Sequence, residues 1–262
     1  MTKQITIASV VWLELWRRKD LYVVMILMIS LLGYLLSLNI FGMSSSHRYI
    51  MEMGLLLSWL MSWVLTVNLS SRQLPEEEQR GTIYPLLAKP ITRGELIVGK
   101  WLGCWVAGST ATLLFYLLTS AVVMMRGGTL HLITLGQGLL LHCSLLGIAA
   151  ALAMTLSTRL NQDAAATLTY ILSVVFFVFI PDIPEILVRE NTASPGLLSA
   201  AYYALPHFEV FDMRRRVVHE WGPAPAGAVG LSIVYALAWS LLLLKFSWLA
   251  YQNKTFRREL TV

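Results

Sequence analysis

The stretch ITRGELIVGKW, Ile91 to Trp101, holds Gly94, then four residues, then Gly99 and Lys100. That spacing is most of a phosphate-binding loop, in which backbone amides cradle a nucleotide and the lysine reaches its phosphates. The rest of the pattern is missing. Trp101 stands where a hydroxyl would bind Mg²⁺, and no strand pattern precedes the segment. Thr92-Arg93-Gly94-Glu95 fits the S/T-x-x-E capping box instead. With Thr92 as N-cap, Gly94 to Lys100 are already helical, so they cannot form a loop whose amides converge on a phosphate. The segment is predicted to open a helix. Gly99 and Gly103 form a GxxxG face for close helix packing, and Lys100 is expected to snorkel to headgroups.

The remaining reactive residue types are sparse. His207, Glu209, Asp212 and His219 are metal ligands by type, but their spacing fits no ligand signature. Met43, His47, Met51 and Met53 form one soft cluster, and Met124, Met125 and His131 another, of a kind that suits Cu(I). Adaptable apolar packing accounts for the same methionines. Cys104 and Cys143 have no Cys-x-x-Cys partner and read as small buried residues. No Ser/His/Asp arrangement and no His-x-x-x-His pair is present. The sequence therefore offers no catalytic residue, no metal site and no cofactor of its own.

The composition says where these residues reside. Of 262 residues, 56% are apolar or aromatic and only 13% are charged; the mean hydropathy is +0.65. A soluble domain carries about 25% charge. This chain cannot cover a water-facing surface and reads as an all-α integral membrane protein. Its net charge of +5 does not indicate nucleic acid, because the basic residues flank apolar runs instead of forming one patch.

A spanning helix needs about 20 apolar residues to cross about 30 Å of hydrocarbon. Six runs qualify: Leu21–Phe41, Ile50–Leu69, Glu95–Met124, Leu132–Leu156, Ala164–Ile180 and Ala226–Ala250. The first is too long for a signal peptide's core and is expected to be retained. Six spans put both termini on one side. Fourteen Lys and Arg residues fall in the segments on the termini's side and six on the other. The richer side is the cytoplasm, so both termini are assigned there. The whole chain, 1–262, is read as a single membrane domain.

Residues 1–20 precede the first run. On a helical wheel Ile5, Ala8, Val11, Trp12, Leu15 and Trp16 share one face, opposite Lys3, Thr6, Ser9, Glu14 and Arg17. Tryptophan favours the membrane interface, so Trp12 and Trp16 mark a helix lying in that plane before a turn at Lys19–Asp20. The residues alone support an anchor. Residues 71–94 form a polar loop between spans 2 and 3. Pro75 followed by three glutamates suits a helix first turn, Gly81 suits its end, and Pro85 can start another short turn that Pro90 closes. With Ile83, Leu86 and Leu87 on one face, that turn is either a docking element for another protein or a linker on the headgroups.

The run EEEQRGTIYPLLAKPITRGELIVGKWLG resembles the cytosolic loop and third span of ATP-binding-cassette permeases of the type 2 family. That pattern is an acidic stretch, Gly-Thr, a short apolar turn with Leu-Leu, a proline, Arg-x-Glu, then Gly-Lys opening a span. The resemblance extends to the amphipathic N-terminus, the six spans and the long loop 181–224, whose ALPHFEVFD is loosely similar to the family's Leu-Pro segment. It implies a permease subunit in a prokaryotic cytoplasmic membrane. That subunit pairs with a second permease, identical or homologous, and with two ATPase subunits that carry the ATP and Mg²⁺. By analogy the short loop turn is a coupling helix, the docking surface is Glu78, Arg80, Gly81, Thr82, Leu86, Lys89 and Arg93, and the N-terminal helix is an elbow that passes on movement. The family implies export more often than import, along a route lined by spans 2 and 5.

Further features complete the expectation. GLLSAAYYAL in the 181–224 loop is too short to span and reads as an interfacial or re-entrant element. Asn68, Gln137 and His142 lie inside apolar runs, where polar groups either bond neighbouring helices or mark a pathway. Two other function classes stay open: a non-transporting membrane anchor or mechanical assembly component, and a membrane-embedded enzyme.

Overall fold

A computed structural model of the chain describes residues 3–17, 19–37, 46–79, 92–189 and 195–252. Every element among them is a helix. In order they are α1 (Lys3–Arg17), α2 (Asp20–Ser37), α3 (Ser46–Gln79), α4 (Arg93–Met125) and α5 (Leu132–Ser157). Next comes α6 (Gln162–Val174), which runs through a π turn (Val175–Phe179) into α7 (Ile180–Arg189). Then follow α8 (Pro195–Ala204), a 3-10 turn (Phe208–Phe211), α9 (Arg214–Val218) and α10 (Ala226–Gln252). Helices α3, α4, α5, α10 and the unit from α6 into α7 are each long and apolar enough to cross a membrane. The apolar run in α2 is shorter, and the residues that follow it, 38–45, lie outside the described set.

Helix α4 is the hub, touching α1, α2, α3, α5 and α10. The main core joins Val11, Met28, Leu65, Phe115, Met154 and Tyr251, one from each of α1, α2, α3, α4, α5 and α10. The outward faces are apolar too, as lipid contact requires: Leu231, Val234 and Leu241 on α10 are all exposed.

The α3–α4 contact is built on small residues. Gly54, Ser58, Ser62, Thr66 and Ser70 recur every fourth residue of α3, a small-xxx-small stripe that lets two backbones approach. Ser58, Ser62 and Thr66 donate their hydroxyls to the carbonyl four residues back, each at 2.7 Å. These three hydroxyls are thereby satisfied within the helix. A Cβ at Gly54 would meet Thr119, and one at Gly108 would meet Thr66.

Two features depart from expectation. Helix α3 does not end near Leu69, and no separate helix starts at Pro75; Pro75 lies inside α3, which runs on to Gln79. Ser70, Ser71, Arg72 and Gln73 are all buried, so tertiary packing carries the helix through a polar, proline-containing segment. The buried stripe of α1 is also rotated from the wheel's face: Ile7 and Val11 are buried while Ile5 is exposed. The chain turns from α1 into α2 at Lys19, which has a left-handed φ of 60°.

Candidate functional sites at the two ends of the bundle

At the end where α3 finishes and α4 begins, three helix ends are tied together. The box at the start of α4 is closed both ways: Glu95 N–H donates to Thr92 Oγ1 at 3.2 Å, and Thr92 N–H donates to Glu95 Oε2 at 2.8 Å. Arg93 then reaches the last turn of α10. Its Nη1 donates to the carbonyls of Tyr251 at 2.7 Å and Gln252 at 3.0 Å, and its guanidinium lies 5.8 Å from the Tyr251 ring centre. A cation capping orphan carbonyls at a helix C-terminus is favourable on both hydrogen-bond and dipole grounds.

Lys100 ties α4 to α3. Its ammonium lies 2.6 Å from Glu77 Oε1 and donates to Gln73 O at 3.0 Å and Gln73 Oε1 at 3.2 Å. The Lys100 side chain is 4% exposed, so it does not snorkel to headgroups as the sequence suggested. The extension of α3 past Leu69 supplies three acceptors directly beside it, and an ammonium has three donors to give. Of the docking residues, Glu78 lies half-buried in the last turn of α3 and Arg93 is placed as above. Arg80, Gly81, Thr82, Leu86 and Lys89, with the short apolar turn, lie outside the described residues.

Gly99 and Gly103 face α1. A Cβ at Gly99 would lie 2.9 Å from Ile7 Cβ, and one at Gly103 would lie 2.6 Å from Val11 Cβ. Trp12 is half-buried against the core; the Trp16 side chain lies outside the described set. Trp101 and Trp105 stack at 5.3 Å and strap α4 to α5, their indole N–H groups donating to Gly147 O at 2.9 Å and Cys143 O at 2.7 Å.

In mid-bundle, His142 Nε2 lies 3.1 Å from Ser62 Oγ. Ser62 also bonds Ser58 O, so the imidazole is tied to the small-residue stripe of α3. Gln137 makes two reciprocal bonds to the Ala224 backbone, at 2.9 and 2.8 Å, and so fixes the chain just before α10. Asn68 is exposed on the wall of a cavity between α2 and α3.

The opposite end carries a slot between α3 and α6. It has a volume of about 220 Å³ and is lined by Trp59, Trp63, Leu145, Phe177, Val178 and Phe208, with Ser173 and Arg214. It adjoins a wider vestibule of about 700 Å³; Leu56, Phe177, Val178 and Arg214 line both. The π turn forms one wall. Pro181 follows that turn, and its ring would strike the Phe177 carbonyl in a regular helix; the wider turn relieves the clash. Arg214 roofs Trp59 at 5.1 Å from the ring centre. It also grips Asp212 in a fork, Nε to Oδ1 at 2.9 Å and Nη2 to Oδ2 at 2.7 Å. Burial pushes the Asp212 carboxyl up, but the hydrogen bonds and charge of Arg214 outweigh burial and hold it below the usual carboxylate range.

The metal ligands proposed by type do not converge. His207 packs on Tyr202 and bonds Tyr235, Asp212 is held by Arg214, and among the described residues no group of three or more His, Cys, Asp or Glu could hold an ion. In the soft clusters, Met51 is buried while Met124 and Met125 are exposed; Met43 lies outside the described residues. The Lys100–Glu77–Gln73 junction and the Trp59 slot were not singled out in the sequence. Signals for the slot were there, in Trp59 and Trp63 one helical turn apart and in Pro181 after an aromatic run.

Among curated proteins none matches this chain. Among known families, residues 61–256 match the one described as ABC-2 family transporter protein. That match takes in α4, α5, α6 and α10 whole and most of α3, which together make the five helices fit to cross a membrane. The chain belongs to the ABC-2 transporter family, as a multi-pass membrane permease subunit.

Proposed function

We propose that the chain is the moving membrane half of an ATP-driven exporter in a prokaryotic cytoplasmic membrane. It has six spans, α2 being the first, and both termini are cytoplasmic. Helix α2 has 18 residues, about 27 Å of helix at 1.5 Å per residue, and residues 38–41 continue its apolar run. Two ATPase subunits bind and hydrolyse ATP on separate chains. They dock on Glu78, Arg80, Gly81, Thr82, Leu86, Lys89 and Arg93, the short turn that Pro85 starts and Pro90 closes being the coupling helix. A second permease, the same or homologous, completes the complex. Helix α1 is the elbow in the inner interface, and α8 is the interfacial or re-entrant element on the outer side.

The observation that carries this reading is the tie at the Gln79 end. A push on residues 80–91 arrives at Glu77–Lys100 and at Arg93–Tyr251, and so reaches α3, α4 and α10 together. Through Gly99 and Gly103 it also reaches α1. Nucleotide-driven closure of the ATPases would then bias a two-state rocking of the bundle. The slot between α3 and α6 is the part of the translocation route open to the outer side.

The test is co-purification. The chain is expressed with a candidate ATP-binding-cassette ATPase and compared with a variant in which residues 81–90 are scrambled. The expected result is loss of ATPase from the variant; equal recovery from both would remove the docking assignment.

A further inference from the structure

The slot and vestibule are lined by two polar groups and three charges that have no side-chain partner among the described residues. Trp59 is 8% exposed and Ser173 is 2% exposed. Both residues line the slot, and among the described residues neither Trp59 Nε1 nor Ser173 Oγ has a hydrogen-bond partner; leaving such groups unmet costs about 1–3 kcal/mol each. Apart from Arg214, the other lining residues are apolar or aromatic. Trp59 is flanked by Phe177 at 5.0 Å and Trp63 at 5.9 Å, ring centre to ring centre.

The charge of the vestibule decides the polarity of the occupant. Glu52, Asp182, Glu209 and Asp212 line it against Arg214 and Arg215, with His219 at the rim. Arg214 and Asp212 neutralise each other through their fork. Among the described residues no ion pair engages Glu52, Asp182 or Glu209, and all three are exposed. Arg215 offsets one of them, so the wall stays net negative. An anion would meet these carboxylates; a cation meets them together with aromatic faces, to which it is attracted.

We infer that this cavity is a binding site for a small amphiphilic cation, its apolar body in the Trp59–Phe177 slot and its charge among Glu52, Asp182 and Glu209. This deepens the permease reading and rests on it for the claim that the occupant is cargo; binding itself needs no ATPase.

The experiment uses two ions of matched shape and opposite charge, tetraphenylphosphonium and tetraphenylborate. Binding to the purified full chain in lipid nanodiscs is measured by equilibrium dialysis against empty nanodiscs. The expected result is saturable binding of the phosphonium, favoured over the borate by about tenfold or more. The triple variant E52Q/D182N/E209Q, altered only at exposed side chains, should lose that preference. Ser173→Phe should fill the slot and abolish phosphonium binding, with circular dichroism confirming helix content. Equal binding of both ions by the unaltered chain, or an unchanged preference in the triple variant, overturns the assignment. Failure here with ATPase co-purification intact removes the cation site alone. Selective binding without any ATPase partner removes the transporter reading alone.

Discussion

Replacing Lys100 by methionine should unbalance the Gln79 end of the bundle. The ammonium is 4% exposed and its three donors face three acceptors between 2.6 and 3.2 Å away. Methionine fills similar volume but removes the ammonium that meets the Glu77 carboxylate and Gln73. Breaking a buried ion pair from one side costs about 3–5 kcal/mol, because the other charge is left uncompensated. The Glu77 side chain keeps 24% exposure, so water repays part of that loss, and K100M should fall near about 3 kcal/mol. E77Q strands the more deeply buried partner and should cost at least as much. The double variant K100M/E77Q removes both charges and should be far milder than the sum of the two, with a coupling of about 2 kcal/mol or more. Unfolding would be followed by circular dichroism in mixed micelles titrated with dodecyl sulfate. Additivity of the two substitutions within about 0.5 kcal/mol would refute the claim that these charges meet.

Three further outcomes are expected. G103A, which drives a methyl against Val11, should destabilise the chain by about 1–3 kcal/mol, whereas G136A, where the methyl meets open space, should stay within about 1 kcal/mol of the parent; melting in detergent separates them. Q137A removes both bonds to the Ala224 backbone, about 1–3 kcal/mol, and hydrogen exchange should report faster exchange at the Ala224 amide. The Asp212 carboxyl is held below its usual range by Arg214, so the unfolded chain binds that proton more readily. The stabilisation is full above the usual carboxylate range and is lost as pH falls below it. Melting from pH 7 down to pH 3 should show the gap between the parent and D212N narrowing in the acid range; a constant gap would contradict the pairing.

Some of this architecture is legible in the chain and some is not, for physical reasons. Helix α4 could be placed within two residues because a capping box opens it and an apolar run of spanning length follows. Helix α10 was equally plain, since Pro225 and Ala226 begin a long apolar stretch whose one charge is Lys245. The last ten residues of α3 were not. Pro75 and three glutamates read as a fresh helix start, and only the packing of Ser70 to Leu74 against neighbouring helices overrides that local signal. Lys100 was misdirected for the same reason, because the acceptors beside it exist only once α3 has been extended. A wheel shows that Gly99 and Gly103 share a face but not that α1 lies across it. The Gly54–Ser70 small-residue stripe could have been read and would have paired α3 with α4. The slot could not, because its walls come from α3, α5, α6, the π turn and the outer loop.

The central claim is that a separate ATPase grips this chain at the Gln79–Thr92 end. Cross-linking tests it most directly. In a chain with Cys104 and Cys143 replaced, single cysteines at Glu78 and at Met125, at opposite ends of the bundle, are treated with a short bismaleimide in the presence of the ATPase and ATP. A cross-link to the ATPase from position 78 and none from position 125 is the predicted result. A cross-link from position 125 alone would contradict the account.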